Sequence, residues 1–80
     1  MDEYYSKLAR ALRERLTLIA DHQLRDSNPA LHLEKLKNAS NQIDELKSGL
    51  PSDADPRLIH YMQRMSLGKA LEIVEQEYLH

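Results

Sequence analysis

The chain has no cysteine, no tryptophan and no phenylalanine. Without cysteine, neither a disulfide framework nor a thiolate zinc site can hold the fold, a composition compatible with the cytoplasm. The only aromatic residues are four tyrosines. β-Branched residues are few and no run alternates apolar and polar positions, so nothing reads as a strand. Long hydrophobic runs are missing as well: no stretch approaches the ~20 apolar residues of a membrane span. Met1-Asp2-Glu3 carries no basic run and no apolar stretch follows it, so a secretory leader is not expected. The expected setting is cytoplasmic, without membrane contact.

An excess of one charge is also lacking. Charged residues make up 30% of the chain, yet their balance is only −2. That leaves no long-range field to steer the protein toward phosphate backbones, which disfavours nucleic acid as a partner. Residues 1 to 26 hold five basic and five acidic side chains, whereas residues 66 to 80 set Lys69 against Glu72, Glu75 and Glu77. The chain, at 80 residues, makes a single domain, 1–80, because a second core could not be built from what the first leaves over. So short a chain needs ideal packing or a partner subunit once disulfides are excluded.

What the sequence does have is helical periodicity, cut by prolines and glycines. Residues 2 to 25 place Tyr5, Leu8, Leu12, Leu16 and Ile19 on one helix face, with Asp2 and Glu3 at the end where the helix dipole favours acids. Asn28 before Pro29 then reads as an N-cap followed by the first residue of a second helix, 29–48. Its inward seam is Leu36, Ala39, Ile43, Leu46 and Leu50. Gly49 is placed to take a left-handed C-terminal position, with Leu50 as its apolar contact and Pro51 as the stop. Asp55-Pro56 repeats the cap-then-proline device and opens a third helix, 56–65, with Leu58, Ile59, Tyr61, Met62 and Met65 turned inward. Ser66 reads as the N-cap of a fourth, 67–79, whose inner face is Leu67, Ala70, Leu71, Val74 and Tyr78. One kinked helix over 56–79 is the alternative, and Ser66 with Gly68 favours the break. The expected fold is all-α: a small four-helix bundle made of a long antiparallel hairpin and two shorter helices.

Several groups invite a chemical reading. Ser66-Leu67-Gly68-Lys69 matches S-x-x-K, in which a lysine activates a helix-borne serine. The companion motifs S-D-N and K-T-G are absent, and an N-cap serine with a solvated lysine explains the same letters. Among His22, His32, His60 and His80, only Glu77-x-x-His80 has the spacing of a helical di-iron site. Such sites need a second pair and two more glutamates from neighbouring helices. His32 lies within the Leu33, Leu36, Ala39 and Ile43 stripe and reads as a half-buried histidine. No cofactor, metal site or catalytic residue is expected, and the chain reads as non-enzymatic. Lys7, Arg10, Arg13 and Arg15 form a basic flank on the first helix, the surface for an alternative nucleic-acid-binding or regulatory role. A helix-turn-helix over 57–79 fits in outline, but its recognition helix would present mostly glutamate to phosphates.

In the same stretch, residues 61–75, with Ser66-Leu67-Gly68 as the turn and Lys69-Ala70-Leu71 opening the next helix, resemble the turn and second helix of a tetratricopeptide repeat. The resemblance implies an αα-hairpin in which Ala70 allows close approach of the preceding helix. It does not extend to a second copy, and no family is recognised for the whole chain.

Apolar residues also lie off the core stripes. Tyr4, Ala11 and Leu18, spaced by seven, lie about 100° round from the Leu8, Leu12, Leu16 and Ile19 face at 3.6 residues per turn. Leu31 and Ile73 are displaced from their stripes in the same way. Either the first helix has two neighbours within the chain, or Tyr4, Ala11, Leu18, Leu31 and Ile73 form an interface. The expected function is a protein-protein interaction or oligomerisation module whose partner is a second copy or another helical protein.

Overall fold

The computed structural model of the protein describes residues 3–79, which form five helices and, among the described residues, no strand. The long pair is α1 (Glu3–Ala20) and α3 (Pro29–Ser48), with α2 (His22–Ser27) between them, and α4 (Pro56–Gln63) and α5 (Leu67–Glu77) follow. The small all-α bundle is as expected, with one additional helix. The expected contributions of Asp2 to the first helix and of His80 to a metal pair lie outside the described residues.

The additional helix arises at Asp21. Its carboxylate accepts from the Leu24 amide at 3.0 Å, and its own amide donates to the Leu18 carbonyl at 3.2 Å. A short acidic side chain competes with the helix for backbone amides, so Asp21 caps a new helix instead of sitting inside the old one. Asn28 then ends α2 and starts α3. Its amide donates to the Leu24 carbonyl at 2.8 Å and its side chain accepts from the Leu31 amide at 3.2 Å. Pro29 follows at the start of α3, where no amide donor is needed.

α1 and α3 run antiparallel. The Tyr4 hydroxyl donates to the Leu46 carbonyl, Arg15 Nη1 to the Leu36 carbonyl at 3.1 Å, and the His32 ring nitrogen Nε2 lies 2.7 Å from the Leu18 carbonyl. The same register sets Ala11 opposite Ala39, two buried alanines that let the helices approach. The heptad trio Tyr4, Ala11 and Leu18 is therefore the seam toward α3. The other stripe, Tyr5, Leu8 and Leu12, belongs to the core shared with α4 and α5. With two neighbours in the chain, α1 needs an apolar arc twice as wide as one neighbour would require. Ile73 is buried for the same reason, because α5 packs on both α1 and α4.

The α4–α5 pair is fastened at the start of the hairpin. Tyr5 stacks on Tyr78 with ring centroids 3.7 Å apart, and the Tyr78 hydroxyl accepts from the Asp55 amide at 2.9 Å. Asp55 caps α4 by accepting from the Arg57 amide at 2.9 Å, ahead of Pro56 as expected. The Arg57 guanidinium binds both Asp55 (2.7 Å) and Glu77 (2.8 Å), tying the start of α4 to the end of α5. Ala70 is fully buried, in keeping with the close αα-hairpin.

Two turns differ from expectation. Gly49 caps α3 at φ −92°, not in the left-handed region, and the helix ends through tightened bonds from Gly49 to Leu46 and from Leu50 to Lys47. The left-handed residue is Met65, at φ 56°. α4 closes with Ser66 donating to the Tyr61 carbonyl (2.9 Å) and Met65 to the Met62 carbonyl (3.2 Å), the paired bonds of a Schellman turn. Such a turn points its left-handed residue outward, so Met65 is exposed and not in the core. Ser66 takes the N-cap position of α5, but its hydroxyl makes no capping bond.

The helices differ in length by enough to shape the molecule. At 1.5 Å per residue, α3 is about 30 Å long, whereas α5 is about 16 Å and α4 about 12 Å. The short pair covers only part of the long one, giving a body of 42 × 23 × 22 Å.

Candidate functional site

The fully buried large side chains, Leu8, Leu12, Ile43, Leu58, Met62 and Val74, all lie where α4 and α5 cover the hairpin. Past that point the same apolar lines continue uncovered. Ile19 comes seven residues after Leu12 on α1, and Leu36 seven before Ile43 on α3, with Leu33 one turn further on. Ile19 is 50% exposed and Leu33 59%, while Leu16 and Leu36 are half-buried. Along the α3 side of this region is a shallow depression lined by Arg15, Leu33, Leu36, Lys37, Ser40 and Asn41. Ile19 was expected in the core; it is exposed because α4 and α5 are too short to reach it.

α5 runs back along α1 toward Tyr78, which stacks on Tyr5, so its beginning and the α4–α5 turn face this open end. The exposed Met65 stands on that turn, at the shoulder of the step. Apolar side chains exposed on a soluble surface are ordinary when single. Here Ile19 and Leu33, on different helices, extend one stripe that is dry at its other end, which makes them a surface rather than scattered exceptions.

Of the five residues expected at an interface, Ala11, Leu18 and Ile73 are buried and Tyr4 is packed against the core. These four are intramolecular contacts, for the two-neighbour reason given above. Leu31 is exposed, though on the other flank of α3, about 160° round from Leu33's direction at 3.6 residues per turn. The sequence places both Ile19 and Leu33 on inward stripes, and the structure corrects both to exposed positions. The signal that could have found them was the mismatch between two long helices and two short ones.

The basic flank is divided. Arg13 bonds Glu75 at 3.1 Å, and Arg15 reaches the Leu36 carbonyl on the opposite side of α1. Lys7 and Arg10 line a separate shallow depression with Gln42, Glu45 and Leu46. The Lys69 ammonium lies 5.7 Å from the centroid of the Tyr61 ring. His32 is buried, and because a carbonyl can only accept, its Nε2 carries the proton and donates to Leu18. It pins the end of α1 to α3. His22 and His60 are exposed, and among the described residues no three His, Cys, Asp or Glu side chains gather where a metal could bind.

Side-chain hydrogen bonds from Arg57 hold the Asp55 carboxyl below the usual carboxylate range, and those to Asp55 and Glu77 push the guanidinium up. Arg57 and Glu77 are exposed and Asp55 is half-buried, and the cluster lies at the end of the molecule away from the apolar surface. Among the described residues, no helix is long and apolar enough to cross a membrane. Compared with protein-family models, curated proteins and solved structures, the chain matches none.

Proposed function

We propose that the protein is a non-enzymatic helical interaction module that docks an apolar helix pair on the open end of its α1–α3 hairpin. The observation behind this reading is the core stripe that α4 and α5 close at one end and leave bare at Ile19 and Leu33. The cytoplasm is the proposed setting, in keeping with the cysteine-free composition. An occupant with two apolar helix faces would pack as α4 and α5 do, by ridges into grooves at 8–10 Å between axes.

The test is site-specific photo-cross-linking in intact cells, with a photoreactive side chain at Leu33 and, as control, at Glu14 on the outer face of α1. The expected result is an adduct at position 33 and none at 14. The captured protein, identified by mass spectrometry, should bind the purified wild type and lose that binding to the Ile19→Glu/Leu33→Glu variant. Equal labelling at both positions, or none at 33, would remove the reading.

A further inference from the structure

We infer that His32 is the positioning residue of the open face: through the Leu18 carbonyl it fixes the end of α1 on α3, and so sets Ile19 and Leu33 side by side before a partner arrives. The inference goes beyond the interaction reading above and rests on it for the use of that face.

The first observation is the histidine itself. Among the described residues, and tyrosine aside, His32 is the only buried polar or charged side chain, 7% exposed in a seam otherwise made of Ala11, Leu18 and Ala39. A polar ring removed from water costs stability unless it is bonded, and a leucine would fill a seam position without that cost. What the ring adds is its bond, Nε2 donating to the Leu18 carbonyl at 2.7 Å. That carbonyl is among the last four of α1, which have no amide partner inside the helix.

The second observation is how the carbonyl comes free. Were α1 to run on, the His22 amide would bond the Leu18 carbonyl, four residues back. Instead the helix stops at Ala20, the Asp21 amide bonds that carbonyl at 3.2 Å, and the Asp21 carboxylate takes the Leu24 amide at 3.0 Å. The cap at Asp21 therefore leaves the Leu18 carbonyl to His32, and the break between α1 and α2 forms one device with the histidine clasp. Packing holds this corner weakly, since α2 has no buried residue and Ile19 lies beyond the cover of α4 and α5.

The third observation is register. Ile19 follows Leu18, and Leu33 follows His32. One residue turns a helix by about 100°, and in two antiparallel helices seen from one end the turns run in opposite senses. Both steps therefore lead from the seam to the same face of the pair. The clasp joins the two residues that precede the exposed apolar side chains, so it governs how those side chains stand to one another. Fixed in this way, they meet a partner already ordered, and docking loses less conformational freedom.

The experiment reads the spacing of the two positions with no partner present. Nitroxide labels are attached through Ile19→Cys and Leu33→Cys, which are unique sites because the chain has no cysteine. Dipolar electron paramagnetic resonance then gives the distribution of distances between them in the full chain. His32→Leu should broaden that distribution about twofold, as the last turn of α1 frays, with an unchanged circular dichroism spectrum. His32→Gln, whose amide nitrogen stands as many bonds from the backbone as Nε2, should keep the wild-type width, whereas His32→Asn, one bond shorter, should not. Asp21→Ala should broaden it as well, without touching the seam. Where His32→Leu fails to fold, the glutamine and asparagine variants decide by the same criterion. A His32→Leu distribution as narrow as the wild type, or a His32→Gln distribution as broad as that of His32→Asn, would show that the ring only fills space and would overturn the inference. An Asp21→Ala distribution of wild-type width would overturn the joining of cap and clasp. The two readings fail separately. A spacing indifferent to His32 removes the clasp and leaves docking, whereas a His32-dependent spacing with no adduct at Leu33 removes docking and leaves the clasp.

Discussion

Met65 carries a conformation that methionine does not favour. For an L-residue with a β-carbon, the left-handed region costs about 1–2 kcal/mol, a penalty that glycine escapes. Methionine persists there because the Schellman bonds from Ser66 and Met65 close α4 and turn the chain toward α5. Its exposed side chain gains little from burial in the monomer to offset that cost. Met65→Gly should therefore stabilise the monomeric chain by about 0.5–1 kcal/mol, the relief of strain less the extra freedom glycine has when unfolded. Urea denaturation of wild type and variant at low micromolar concentration would measure it, and equal midpoints would show that the turn is unstrained. Gly68, by contrast, sits inside α5 with open space where a side chain would be, so its conformational freedom is not used.

At the scale of elements, the cap-then-proline pairs Asn28-Pro29 and Asp55-Pro56 were legible because capping is local chemistry, decided within three residues. The break at Asp21 has the same chemistry and was not read, since no proline follows it and the apolar spacing runs on through Leu24. Gly49 was misread because a glycine after a helix allows the left-handed turn without requiring it. The trio on α1 was ambiguous for a different reason: a heptad stripe is the same pattern whether its partner is in the chain or outside it. The cap at Asp55 also has a consequence for pH. Its folded carboxyl is depressed by Arg57, so its contribution to stability is fully present above the unfolded value near about 4 and is lost as pH falls through the folded value. Asp55→Asn keeps an oxygen for the Arg57 amide but has no charge to titrate. The wild type should be the more stable of the two at pH 6, and the gap between their denaturation midpoints should shrink as pH falls below about 4. A gap constant from pH 6 to 2 would mean that the guanidinium does not act through the charge of Asp55.

Across the whole molecule, stability is unevenly placed. The end covered by α4 and α5 holds the fully buried side chains, whereas the open end is held by the seam of Leu18, His32 and Ala39 and by the caps around α2. Which helices pack was legible in the periodicity; how far each reaches was not, because a stripe carries no mark where its cover ends. Two leucines test this division directly. Leu12 has no exposed surface and Leu33 is mostly exposed, so in the monomer Leu12→Ala should cost about 2–4 kcal/mol by lost transfer energy and a cavity. Leu33→Ala should stay within about 0.5 kcal/mol of wild type, as for surface substitutions generally. Denaturation of both at low micromolar concentration is the measurement. Should Leu33→Ala cost as much as Leu12→Ala there, the far face is covered within the chain itself, and the open end and the interaction reading would fall together.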